Sequence, residues 1–159
     1  MFIRDCESSD LPALIDLTIS VFRPLFEEDL PAIWGPEIVT HDHPHWEDDY
    51  RRQIPSLHDP ATGKFITLAE QDGVVLGYVG WDVSRESTGQ LEMVAVRESA
   101  RGRGIARALC QRVLDRMGEH GITVVHIGTG GDPFHGPARA LYESLGFTGW
   151  PTYDYARTL

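Results

Sequence analysis

Several things are scarce in this chain, and each scarcity removes a class of function. It has only two cysteines, Cys6 and Cys110, with no Cys-x-x-Cys spacing around either, so neither a disulfide nor a redox role is expected. Cys110 falls on the apolar side of a predicted helix, where a small buried thiol is the ordinary reading. No long apolar run occurs, and the first twenty residues carry Asp5, Glu7, Asp10 and Asp16 in place of a basic leader. That pattern supplies neither a secretory signal nor a membrane span, and cytoplasmic residence is the default expectation. Positive charge is short as well: 14 Lys plus Arg against 24 Asp plus Glu leave a formal charge of -10. Nucleic-acid binding, which needs clustered cations against phosphate, is therefore not expected. No Gly-Lys-Ser or Gly-Lys-Thr is present, which excludes the nucleoside-triphosphate loop, and no His-Glu-x-x-His suggests a zinc hydrolase.

What is present fits one domain spanning residues 1–159, with 42% hydrophobic residues to build a core. Phe2 to Arg4 predicts a short strand, and Ser9 or Asp10 caps a helix carrying Leu11, Leu14, Ile15, Thr18, Ile19 and Phe22 at helical spacing. An irregular stretch is expected from Pro24 to about His45, then a short helix from Trp46 to Ile54. Phe65 to Glu70 and Val74 to Trp81 flank Asp72-Gly73, a hairpin signal. Leu91 to Val96 reads as the next strand, about Gly104 to Gly118 as a helix, Ile122 to Ile127 as a strand and Pro137 to Leu145 as a helix. Phe147 to Trp150 and Tyr153 to Ala156 complete the pattern as candidate last strands. This order predicts an α/β fold with a mixed sheet covered by helices.

The most informative run is Arg101-Gly102-Arg103-Gly104-Ile105-Ala106, lying between a strand and an amphipathic helix. Amides in a helix's first turn have no intrahelical acceptor and the helix end is partly positive, which suits a diphosphate. Gly102 and Gly104 let the backbone approach its oxygens, while Arg101 and Arg103 add charge from the side. Ile105, Leu109, Val113 and Met117 anchor one helical face, and Arg107 and Arg112 are expected in water. A dinucleotide fingerprint would need glycine where Arg107 stands.

In this run and its surroundings, from roughly Phe65 to Tyr155, the chain resembles the GCN5-related N-acetyltransferase (GNAT) superfamily. Arg101, Gly104 and Ala106 meet that family's cofactor motif of Gln or Arg, two free positions, Gly, one free position, and Gly or Ala. The resemblance implies a mostly antiparallel central sheet with splayed central strands and acetyl-CoA as cosubstrate; on the residues themselves no metal is expected. It also implies that the backbone at Val94, Ala95 and Val96 holds the pantetheine arm, while Arg101, Gly102, Arg103, Gly104, Ile105 and Ala106 surround the diphosphate. A tyrosine placed as Tyr142 is, four residues before Gly146-Phe147, is the implied general acid. Where the family often has Asn, this chain has His135, which fits either a hydrogen bond to the cofactor or a role near the amine.

For the base, Glu92 is the first candidate: strand alternation puts Gln90, Glu92 and Val94 on one face, and a carboxylate beside an apolar slot has its pKa raised. The loop from Thr129 to Pro137 either shapes the acceptor pocket or lies idle on the surface. From Glu27 to Asp49 eight acidic residues occur without a Lys or Arg, a segment that either concentrates a cationic substrate or is simply solvated. His41, His43 and His45 alternate and invite a metal, yet they lack a cysteine or distant paired ligand, so with Trp34 and Trp46 they read as a lid or wall. The leading function is direct acetyl transfer from acetyl-CoA to a primary amine of a small cationic molecule. The alternatives are a protein or peptide N-acetyltransferase and a non-catalytic CoA-binding regulatory module. Trp150, Tyr153 and Tyr155 fit either a homodimer contact or completion of the core.

Overall fold

Phe2–Asp5 forms β1 and is followed by a tight turn at Ser8–Asp10, closed by reciprocal bonds between Glu7 and Asp10. This computed structural model describes every residue from Met1 to Leu159. The long helix α1, Leu11–Pro24, accepts Pro12 in its first turn, where no amide is needed, and buries Leu14, Leu17, Thr18, Val21 and Phe22.

The expectation of an irregular stretch after Pro24 is overturned. Leu25–Asp29 continues the helix with a wider turn, leading into α2 (Leu30–Trp34), α3 (Pro36–Asp42) and α4 (Trp46–Ser56). The prolines misled because Pro31 and Pro36 occupy first-turn positions, where a missing N–H breaks no ladder. Gly35, at φ 87°, makes the one sharp break between α2 and α3.

Strands β2 (Lys64–Gln71), β3 (Val74–Arg85) and β4 (Thr88–Val96) follow as an antiparallel meander, with β1 pairing antiparallel to β2. Asp72 and Gly73 both take positive φ, 55° and 76°, the turn whose twist matches a tight hairpin. Helix α5 (Ile105–Glu119) then carries the chain to β5 (Val124–Ile127), which pairs parallel to β4 and closes the order β1-β2-β3-β4-β5. Helix α6 (Gly136–Ser144) is the last regular element. The two predicted final strands do not form. Trp150, Tyr153 and Tyr155 are 89%, 82% and 92% exposed, so they do not complete the core. No helix is long and apolar enough to cross a membrane.

Two apolar layers sandwich the sheet. Leu14, Leu17, Val21, Phe22, Ile54, Ile66, Leu68 and Tyr78 pack on the α1 and α4 face, and Val79, Trp81, Leu91, Ile105, Leu109, Val113 and Met117 on the α5 face. Polar groups within them are paired: Tyr78 and Thr18 share a 2.6 Å bond between hydroxyls, and Trp81 Nε1 donates to Thr67 Oγ1 at 3.1 Å. Both cysteines are free and buried. The α5 anchors are at most 2% exposed, so this helix is held rigidly along its length. Truncating the central one, Leu109→Ala, should cost about 2–5 kcal/mol, read as a lowered urea midpoint with unchanged slope.

Candidate acyl-transfer site

The site begins where two strands part. β4 and β5 pair from Thr88 with Val124 to Leu91 with Ile127, and β4 continues alone to Val96. On its other edge β4 stays paired with β3 through Val96, and Arg97 N donates to Leu76 O at 2.8 Å. Antiparallel ladders alternate, so Ala95, two residues before Arg97 and opposite Tyr78, spends its backbone groups on β3. Val94 and Val96 turn theirs toward the gap left by β5. The expectation for Val94 and Val96 is compatible with this ladder, whereas Ala95 is corrected: its backbone faces β3 and its side chain, 2% exposed, packs on the α1 face.

A cleft of about 370 Å³ passes through this gap. Val94, Val96, Ala100 and the start of α5 line one end, and Val21, Phe22, Phe134 and His135 the other, with Leu141 and Tyr142 of α6 along the wall. It therefore joins the two faces of the sheet.

At the first end, Gly102 and Gly104 take φ 74° and 76°, and a Cβ on either would meet no protein atom within 4 Å. Their conformation turns the chain so that it enters α5 with its amides aimed at open space. In this turn the first amide of α5 to find an acceptor is that of Ala108, which bonds Gly104 O at 3.0 Å. The preceding amides, Gly102 to Arg107, are free donors at a positive helix end. Arg101, Gly102, Gly104, Ile105 and Ala106 all line the cleft. The Arg103 side chain does not: it is exposed and donates to Gln71 Oε1 at 2.9 Å, which corrects its expected charge contribution to the cradle, while its amide remains in the free run. Arg107 is exposed, as expected, and also borders the cleft, tied to α6 by a 2.7 Å bond to Ser144 Oγ. This donor set and the open space before it fit a diphosphate.

Tyr142 is 8% exposed, packs edge-on to Phe147 and borders the cleft. Burial, with a smaller push from Cys110, raises its pKa well above that of an ordinary phenol. The hydroxyl is thus a permanent donor at working pH.

His135 sits at the start of α6, two helical turns before Tyr142 on the same face. Its Nδ1 lies 2.7 Å from Asp132 Oδ2, while its backbone N–H donates to Asp132 Oδ1 at 3.1 Å. Burial opposes ionisation of Asp132, but the hydrogen bond and charge of His135 outweigh it and the carboxyl pKa is lowered. Arg139 clasps the same loop, donating to Gly130 O at 2.5 Å and Asp132 O at 2.8 Å. The loop from Thr129 to Pro137 is accordingly part of the cleft wall, through Phe134, His135 and Pro137.

Glu92 is placed differently from its sequence reading. Gly80 pairs with Met93 and Trp81 with Leu91, so Glu92 is the extra residue of a bulge. The bulge breaks strict alternation: Val94 joins Leu91 on the α5 face, and Met93 packs toward α1. Glu92 is exposed in a polar hollow with Asp82, Arg85, Thr88, Gly89 and Gln90, not in an apolar slot. The acidic segment is also less negative than it reads, because Arg23 pairs with Glu27 and Glu47, Arg51 with Glu47 and Asp48, and Arg52 with Asp49. His41, His43 and His45 do not alternate on an extended chain. His41 ends α3 against Asp42, His43 packs on Phe26, and no three His, Cys, Asp or Glu side chains converge. None of these histidines, nor Trp34 or Trp46, lines the cleft; Trp46 stacks on Phe26 at 4.8 Å.

Sequence reading missed Phe22, Phe134, Arg107 and Asp132. Phe22 carried the helical spacing of a core residue, and only the folded chain shows that α1 ends at the gap between strands.

A parallel strand pair that splays beside a glycine-rich helix mouth, with a tyrosine on the opposite wall, defines an acyl-CoA-type transferase architecture. The Acetyltransferase (GNAT) family profile matches residues 21–147, and the chain belongs to that family. It is 32% identical over 162 aligned residues to a mycothiol acetyltransferase of Thermomonospora curvata, covering 86% of this chain and 53% of that protein. It is 37% identical over 100 residues to the uncharacterized N-acetyltransferase YhbS of Escherichia coli K12, covering 57% and 55%. The chain thus spans about half the length of these relatives. Among solved structures, a ribosomal-protein-alanine N-acetyltransferase from Brucella melitensis superposes with a TM-score of 0.67 at 20% identity, covering 99% and 100% of the two chains. The aminoglycoside N-acetyltransferase AAC(6')-Iy in complex with CoA superposes with the same TM-score at 18% identity, covering 99% and 93%. These two likenesses concern the fold.

Proposed function

We propose that this chain transfers an acetyl group from acetyl-CoA directly to a primary amine of a small cationic molecule. The observation that carries the reading is the run of free amides from Gly102 to Arg107, opening into a cleft that leads past Tyr142 to the other face of the sheet. The amides and Arg101 hold the diphosphate, and Val94 and Val96 offer backbone groups to the arm and to the carbonyl oxygen as it gains charge. The bound ammonium loses one proton to His135, which passes it to water. The neutral amine attacks the thioester carbon, the C–N bond forms, and the C–S bond then breaks. Tyr142 donates a hydrogen bond to the departing sulfur, and the second proton lost from nitrogen ends on the thiolate. One ammonium and one thioester thus give one amide, one thiol and one released proton. The raised pKa of Tyr142 makes complete transfer to a less basic thiolate uphill, so its largest contribution is a hydrogen bond that strengthens as charge develops.

No cysteine reaches the cleft lining, which favours direct attack over an acyl-enzyme. For the acceptor, the polar hollow holding Glu92 and Asp82 lies on the sheet face turned to α1, where His135 also opens. We assign Glu92 to attracting the ammonium rather than to taking its proton. The name of the mycothiol acetyltransferase relatives supports a small-molecule acceptor. Release of free thiol from acetyl-CoA, measured against polyamines, aminoglycosides, amino sugars and short peptides, tests the reading. Turnover is expected with a small amine; turnover with peptides alone contradicts the acceptor, and CoA binding without turnover favours a regulatory module.

A further inference from the structure

Beyond Tyr142 and the helix mouth, one side-chain pair is built with unusual care for a loop. Asp132 and His135 are 12% and 20% exposed in their side chains, and they meet twice, through Nδ1 and through the backbone amide. Two further features keep them together. Arg139 donates to the carbonyls of Gly130 and Asp132, fixing the loop from the first turn of α6. Gly130 has no side chain where one would intrude: a Cβ there would collide with Asp132 Oδ2 and lie 2.7 Å from His135 Nδ1. Phe22 at 6.4 Å and Phe134 at 5.0 Å between ring centroids pack against the imidazole, so its plane is fixed as well.

We propose that Asp132 is a positioning residue for the acyl-transfer step, holding His135 with Nδ1 protonated so that Nε2 is the basic nitrogen presented to the acceptor amine. The inference rests on the acetyl-transfer reading above. An ionised carboxylate only accepts, so the 2.7 Å contact makes Nδ1 the donor and leaves the lone pair on Nε2. The proton taken from the ammonium goes to Nε2 and then to water through the open end of the cleft, leaving His135 neutral for the next turn. The other charged or titratable groups around the ring are Arg139 on α6, Arg101 and Arg107 across the cleft, and Tyr142 on the wall.

The test uses the full chain and two substitutions that act differently. Asp132→Asn removes the charge with little change of shape, and Gly130→Ala leaves every charge in place and pushes the pair apart. Nitrogen NMR of the imidazole reads the tautomer of His135 without requiring activity. The wild-type ring is expected as the Nδ1–H tautomer when neutral. In each variant the Nε2–H tautomer should gain population, because in Asp132→Asn the oxygen that accepts the backbone N–H leaves an amide donor facing Nδ1, and in Gly130→Ala the acceptor is pushed away. The kcat at the optimum is expected to drop at least tenfold while KM for acetyl-CoA stays within about twofold, since neither residue lines the diphosphate end. An Nε2–H tautomer in the wild type, an unchanged tautomer in Asp132→Asn, or a changed tautomer with an unchanged kcat overturns the proposal. Failure to bind CoA sinks the acetyl-transfer reading instead, and a separate CoA titration of each protein distinguishes the two.

Discussion

Replacing Tyr142 by phenylalanine should lower kcat for acetyl transfer by about 10²–10³-fold while leaving KM for acetyl-CoA within about twofold. The asymmetry follows from where the residue stands. Its ring fills the wall of the cleft beside Leu141 and against Phe147, and phenylalanine keeps that packing. Only the hydroxyl is lost, and with it the donor that meets the sulfur as negative charge appears there. Because burial holds the phenol protonated, no basic limb belonging to Tyr142 is expected in the wild-type kcat profile below about pH 10. Stopped turnovers at saturating cosubstrate give the value; an unchanged kcat removes Tyr142 from the chemistry.

Gly104→Val should raise the dissociation constant for CoA at least tenfold and also lower the thermal midpoint. Two costs add. At φ 76° any side chain is strained, by about 1–2 kcal/mol for an ordinary residue and more for a β-branched one. The new methyl groups also enter the space into which the free amides point, so the charge-assisted bonds made there lengthen or fail; each is worth about 1.5–3 kcal/mol. Gly118→Ala, in the same helix but with room for a Cβ and no positive φ, is the control. It should stabilise the fold by up to about 1 kcal/mol and leave CoA binding unchanged. Calorimetric titration of both variants separates a local effect on the ligand from a general loosening of α5.

The cradle and the sheet were legible because their signals are local. The spacing of Ile105, Leu109, Val113 and Met117 gave α5, Asp72-Gly73 gave a hairpin, and the two glycines before Ile105 gave a turn that the structure realises at positive φ. What sequence hid is non-local or depends on one inserted residue. A bulge at Glu92 reverses the face of every later residue in β4, and no alternation rule applied to the sequence reveals where such a bulge falls. The prolines at 31 and 36 look like breakers until their place in a first turn is known. The charges of Glu27 to Asp49 look unbalanced because their partners, Arg23, Arg51 and Arg52, stand just outside the segment. Asp132 matters only once the loop folds it onto His135. The apolar pattern after Gly146 is strand-like, yet the residues carrying it remain exposed, and local propensity alone did not pair them.

Cosubstrate binding, and with it acetyl transfer, depends on the amides at the entrance to α5. Following backbone N–H resonances while CoA is added tests it most directly. Saturable shifts are predicted for Gly102 to Arg107 together with Val94 and Val96, weakened by Gly104→Val and retained in Tyr142→Phe. Saturation with those resonances unmoved, or shifts centred on another face of the molecule, would contradict it.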